Sequence, residues 1–142
     1  MRKTRMTVVA LSTAVAAVVL ATAPVGASTA VKSCKTSDGG AQGALMAPDF
    51  TGKKSMRASF GVKDTKRGRD WVRVRVDITT AAGRRHSYSW HENRAGYGKS
   101  KSWTPRASHD EGIVSARIQV ENRLGSQVQD SCFSGKFYNP YY

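Results

Sequence analysis

The chain has 142 residues, with 23 Lys plus Arg against 10 Asp plus Glu, a formal charge of +13 and a pI near 10.3. That length suits one domain with a modest core, and that charge favours anionic partners (nucleic acid, wall polymer, acidic lipid or acidic protein) over cationic ones. Two cysteines, Cys34 and Cys132, are too few for a closed thiolate metal site. In an oxidising compartment they most simply form one bridge, the alternative being a bond to a second chain.

The first residues read as a secretory signal. Arg2, Lys3 and Arg5 form a basic start, Val8 to Ala23 is apolar and uncharged, and Val25-Gly26-Ala27 offers a small-residue cut before Ser28. The apolar run is about 16 residues, short of the roughly 20 needed to span a bilayer. The expectation is therefore a signal peptide over residues 1–27 and a secreted domain over residues 28–142, with no membrane span after cleavage. Three of the 23 basic residues belong to the signal, so the remainder keeps a two-to-one excess of base over acid.

In chain order, Val31–Lys35 predicts a first strand and Ser37–Gly43 a glycine-rich turn. Residues 44–50 carry Pro48 and predict an edge segment or a packed loop. Residues 55–63 alternate, with Met56, Ala58, Phe60 and Val62 on one face. The charged stretch 64–70 should join that strand to the clearest element of the chain, Trp71–Thr79, as a hairpin. There Val72, Val74, Val76 and Ile78 face a core while Arg73, Arg75, Asp77 and Thr79 face out. Residues 84–91 predict a strand with His86, Tyr88 and Trp90 on one face and Arg85, Ser87, Ser89 and His91 on the other. A long loop over 92–100 leads to a short strand ending at Pro105. Residues 113–123 place Val114, Ala116, Ile118 and Val120 inward, and a turn at 124–126 returns the chain as 127–133 with Val128 and Cys132 on one face.

No sustained helical period occurs after the signal. The expected fold is a small antiparallel β-sandwich of about six to seven strands, stapled by a Cys34–Cys132 disulfide between its first and last strands. A bridge closing about 100 residues contributes roughly 4.7 kcal/mol in the chain-entropy picture.

For function, the aromatics Tyr88, Trp90, Tyr97 and Trp103 surround the loop ENRAGYGKS. Tyr97, Arg94, Lys99, Lys101 and Trp103 form a candidate partner-binding set, since aromatic rings and arginines concentrate interface energy. Lys63, Lys66, Arg67, Arg69, Arg73 and Arg75 form a candidate basic strip along the expected hairpin. His91-Glu92, and His109 with Asp110 and Glu111, could supply acid/base pairs for a small hydrolase or nuclease-like toxin, with Arg94 or Arg85 beside a phosphate. No nuclease, protease or G-x-S-x-G spacing supports them. No metal site is expected, because His86 and His91 fall on opposite faces of one predicted strand, and no residue pattern asks for a cofactor.

The segments VKSC (31–34), YSWHENRAGYGKSKSW (88–103) and CFSGKFYNPYY (132–142) resemble those of small secreted proteins of filamentous actinobacteria. Within these the chain resembles the small adaptor subunits of umbrella toxin particles, which join a large repeat-bearing toxin subunit to a lectin-like one. The resemblance implies a non-catalytic role in competition between bacteria and transfers no site residue. The reading from sequence is thus a secreted binding or adaptor protein with a protein partner. A secreted hydrolase and a binder of anionic polymers are its alternatives.

Overall fold

The alternating stretches build strands almost wherever their apolar residues can share a face. The computed structural model describes residues 29–142, so the signal expected at 1–27 lies outside the described residues. The strands are β1 (Val31–Lys35), β2 (Ala41–Met46), β3 (Asp49–Phe50), β4 (Ser55–Arg57), β5 (Phe60–Asp64), β6 (Trp71–Thr79) and β7 (Arg85–Ser87). They continue as β8 (His91–Asn93), β9 (Ser100–Trp103), β10 (Arg106–Ser108), β11 (Ser115–Leu124), β12 (Gln127–Phe133) and β13 (Phe137–Tyr138), and no helix occurs among the described residues. The all-β antiparallel class is as expected. The thirteen strands exceed six or seven because two expected strands are split and several pieces are only two or three residues long.

Sheet A has the order β1-β2-β5-β9 and sheet B the order β10-β4-β3. Sheet C has the order β12-β11-β6-β7, with β8 also on β6 and β13 on β11. The β6–β11 register puts Val74 opposite Val120, Val76 opposite Ile118 and Ile78 opposite Ala116. This apolar wall meets Leu45, Phe60 and Val62 from sheet A and Met56 from sheet B, all at most 4% exposed. Burying each large apolar side chain is worth about 1.5–3 kcal/mol, so β6 and β11 supply the centre of the core.

The disulfide joins Cys34 of β1 to Cys132 of β12, the first strand to the last long one, with Cα atoms 6.0 Å apart. Facing sheets ordinarily stand about 10 Å apart, so the layer beneath the bridge must be thin. Cys34 pairs with Gly43 and Cys132 with Val120, and a Cβ on Gly43 would sit 2.3 Å from Val120 Cγ2. Glycine at 43 is what lets the sheets close there. Gly43→Ala should lower the unfolding free energy by about 1–3 kcal/mol, the usual cost of overpacking, read as a lower urea midpoint.

Polar links reinforce the same edge. Asp130 accepts from Ser37 Oγ (2.6 Å) and the Asp38 N–H (2.9 Å), and Asn122 Nδ2 donates to Asp38 (2.7 Å) and Asp70 (3.1 Å). The Ser37 hydroxyl and Asp38 N–H hold the Asp130 carboxyl below its usual range. For Asp38, burial works upward, but hydrogen bonds from Asn122, Thr36 and the Gly40 N–H outweigh it and the net shift is downward. Depressed carboxylates stabilise the fold above their unfolded pKa of about 3.9, and that contribution is lost as pH falls through the lower folded values. The urea midpoint should therefore fall below about pH 4, and Asp130→Asn should flatten part of the fall.

Several expectations need correction. β5 and β6 are not a hairpin: β5 pairs with β2 and β9 in sheet A, while β6 lies in sheet C. Residues 65–70 cross between the layers, because both strands are needed as opposing walls. Residues 55–63 break at Ala58-Ser59, whose backbone groups bond outside β4 and β5 (Ala58 N–H to Pro105 O, Ser59 O from Met46 N–H). The turn after β1 is shorter than expected, since Thr36 closes it on Ala41 through two backbone-linked bonds of 2.9 Å, and β2 starts inside the glycine-rich stretch. Val128 is 48% exposed, because a bulge between Asn122 and Arg123 shifts the β11–β12 register.

Candidate partner-binding face

Strands β8/β7, β6, β11 and β12 lie side by side, so their outward residues form rows across sheet C. One row reads Glu92, Arg73, Glu121, Ser131; the next carries Arg75, Gln119 and Phe133; a third reads Ser87, Asp77, Arg117. Trp90 joins this face by a local irregularity. Asp77 pairs with Ser87 and Val74 with His91, which leaves three residues opposite two. The extra residue turns Trp90 out and His91 in, reversing the faces expected for both.

Each of three rings on this face carries two guanidiniums. Arg73 and Arg75 stack on Trp90 with Cζ 4.0 and 4.3 Å from the ring centre. Arg117 and Arg85 stack on Phe133 at 4.1 and 4.9 Å, and Arg94 and Arg123 on Trp71 at 3.7 and 5.4 Å. A guanidinium lying on an aromatic face is attracted by the ring quadrupole and keeps its edge donors for hydrogen bonds. Those donors are partly used within the sheet. Arg73 and Arg123 meet Glu121 at 2.7 and 3.0 Å, Arg75 donates twice to Gln119 (3.0 and 2.8 Å), Arg94 meets Glu92 at 2.9 Å and Arg85 meets Asp77 at 2.6 Å.

Six arginines thus face three carboxylates, Asp77, Glu92 and Glu121, leaving a net positive surface. The Glu92 carboxyl is held below its usual range by the Arg94 hydrogen bond and by the charges of Arg94, Arg73 and Arg123. Side chains fixed in this way lose little rotamer freedom when a partner arrives, because they were ordered on folding.

The residues singled out in the sequence are divided by the fold. Arg94, Arg73 and Arg75 belong to the sheet C face. Tyr97 is 51% exposed, between Gly96 and Gly98 at φ 95° and 77°, and Arg67 covers its ring at 4.7 Å. Lys99 and Lys101 are exposed. Trp103 is half-buried and packs on Phe60 (6.1 Å) and His91 (5.1 Å), so it serves the interior as much as any surface. Lys63 stands on β5 of sheet A, Lys66 pairs with Asp70 at 3.7 Å, and Arg69 is exposed. The basic strip does not run along one hairpin: its two β6 arginines and Lys63 lie on different sheets.

No family model matches this chain. No curated protein matches it either. Among solved structures it is similar to β-glucosidase 3B from Thermotoga neapolitana in complex with glycerol, at 12% identity and a TM-score of 0.34, over 79% of this chain and 17% of that one. A likeness at that score carries no argument.

The histidines lie elsewhere. His91 packs edge-on against Phe60 at 5.2 Å, and His86 lies 4.9 Å from Tyr88 and 4.6 Å from His109. With His91 turned in, His86 and His91 share the inner side of the sheet rather than opposite faces. His109 Nδ1 accepts the Glu111 N–H at 3.3 Å, closing a local turn. Among the described residues no three His, Cys, Asp or Glu side chains gather in a way that could hold a metal ion. Sequence reasoning missed Trp71, Phe133, Arg85, Arg117 and Arg123 as members of one face. The available signal was the outward arginine alternation in WVRVRVD and SARIQVENR, which becomes a single surface once those strands are neighbours.

Proposed function

We propose that this chain is a secreted, non-catalytic binding module that docks an acidic protein partner through the outer face of sheet C. The observation that carries the reading is the trio of rings, Trp90, Phe133 and Trp71, each stacked with two arginines. Aromatic and arginine side chains dominate interface energetics, and a net positive face steers and selects an acidic partner. Secretion is supported by the basic start and apolar run at residues 1–27 and by the single disulfide. The resemblance to umbrella toxin adaptors supports a place in an extracellular antibacterial assembly.

Purification of the secreted protein from culture medium at physiological salt should recover a partner in fixed stoichiometry, and the Arg73→Glu/Arg75→Glu variant should lose it. A clean monomer in both cases would contradict the reading. An anionic polymer is the second reading, favoured by the excess of arginine over carboxylate. It requires log affinity that falls linearly with log salt, with a slope set by the number of phosphates contacted.

A further inference from the structure

One corner of sheet C holds a guanidinium with no hydrogen bond among the described residues and one long ion-pair contact. Arg117 is half-buried and lies flat against Phe133 at 4.1 Å, yet donates no hydrogen bond among the described residues. The carboxylate nearest to it, Asp77, is 3.9 Å from its Nε. Asp77 Oδ1 accepts from the Ser87 hydroxyl at 2.6 Å, while its Oδ2 is in ion-pair contact with Arg85 at 2.6 Å but accepts no hydrogen bond among the described residues. Lys136, also half-buried, reaches only the Thr79 hydroxyl, at 3.3 Å, and has no carboxylate partner among the described residues. These groups line an open pit of about 200 Å³, whose wall includes Asp77, Thr79, Arg85, Ser115, Arg117 and Lys136.

Arg75, Arg85 and Arg117 lie within 4 Å of Asp77, whose side chain is 1% exposed, and Lys136 lines the same pit. The pit lining itself sets three cations, Arg85, Arg117 and Lys136, against the single carboxylate of Asp77, an excess of positive charge. The donors are of the right kind for an oxyanion: two planar guanidiniums, which match the geometry of carboxylate and phosphate, an ammonium, and hydroxyls at Thr79 and Ser115. Stacking on Phe133 fixes Arg85 and Arg117 before any ligand arrives. We infer that this pit is an oxyanion site, seating one carboxylate or phosphate-type group between Arg117, Arg85 and Lys136. The inference rests on the reading above for its biological source, a carboxylate of the acidic partner, while its chemistry stands without the partner.

The test is a titration of the arginine Nε–H resonances of the intact, oxidised chain by NMR, at constant ionic strength. The probes are inorganic phosphate and a capped tetraglutamate peptide, with chloride as the control. The expected result is saturable shifts at Arg117 and Arg85 with phosphate and none with chloride. Arg117→Gln and, separately, Lys136→Gln should each weaken saturation about tenfold or more, the value of losing one charge-assisted bond, while Arg94 stays unmoved. Saturation by the peptide as well as by phosphate assigns the site to a protein carboxylate, and saturation by phosphate alone assigns it to a free oxyanion. Linear shifts shared with chloride, or equal shifts at every arginine, would overturn the inference. If the pit binds neither probe while Arg73→Glu/Arg75→Glu still releases a partner, the pit fails and the docking face stands. If the pit saturates and no partner is ever recovered, the docking face fails and the oxyanion site stands.

Discussion

Removing the disulfide as Cys34→Ala/Cys132→Ala is expected to lower the unfolding free energy by about 2–5 kcal/mol. The bridge spans a sequence separation of 98, so it forbids the unfolded chain most of its extended conformations. It also joins two strands at the same edge of opposing sheets. Among the described residues β1 pairs only with β2, and β12 only with β11. Without the bridge, the direct ties between that edge of sheet A and β12 include the bonds from Ser37 and Asp38 to Asp130, which are exposed and weaken in acid. Since a domain's whole stability is about 5–15 kcal/mol, the loss should show as a large fall in urea midpoint, reproduced by reducing the natural chain. Equal midpoints for oxidised and reduced protein would mean that the core of β6 and β11 holds the sheets unaided.

The second large effect is expected at Trp90. Its ring supports Arg73 and Arg75 together, and both arginines project from β6, whose other face is the centre of the core. Trp90→Ala should free both guanidiniums to rotate and lower partner affinity by about 2 kcal/mol or more, roughly 30-fold. Because the ring is only half-buried and lies on the outer face, the urea midpoint should move far less than affinity. Trp90→Phe keeps a ring for both stacks and should recover most of the binding. Calorimetric titration of the recovered partner against both variants separates lost docking from lost folding. An affinity for Trp90→Ala equal to that of the natural chain would remove this face from consideration.

The elements legible in the sequence were those in which alternation persists over many residues. β6 has the expected boundaries, and Val72, Val74, Val76 and Ile78 are all buried, because in a long strand one face must be apolar throughout; β1 and β12 also have the expected boundaries, though β12 does not keep its expected face. The hairpin between β5 and β6 was not legible. A polar connection of this length serves equally to turn within a sheet or to cross between sheets, and only the packing of the whole core selects the crossing. Trp90 was misplaced for a different reason. Period-two reasoning assigns faces by counting, and a single extra residue between Ser87 and His91 inverts every face after it. The arginine face was invisible as a unit because its members are spread from Trp71 to Phe133 and meet only across strand pairings that local sequence does not specify. Thr80, Asn93 and Asn139 are all buried, although their polarity suggests loops; their bonds, such as Asn139 Nδ2 to Ile113 O at 2.7 Å, exist only in the folded chain.

Docking on the outer face of sheet C, as proposed, can be read by site-specific photo-cross-linking, with the reactive group placed either at Ser131 or at Ser102. Ser131 is exposed on β12 opposite Glu121, and Ser102 is exposed on the outer face of sheet A opposite Gly61. A covalent product with the partner is expected from Ser131 and none from Ser102. A product from Ser102 alone would contradict it.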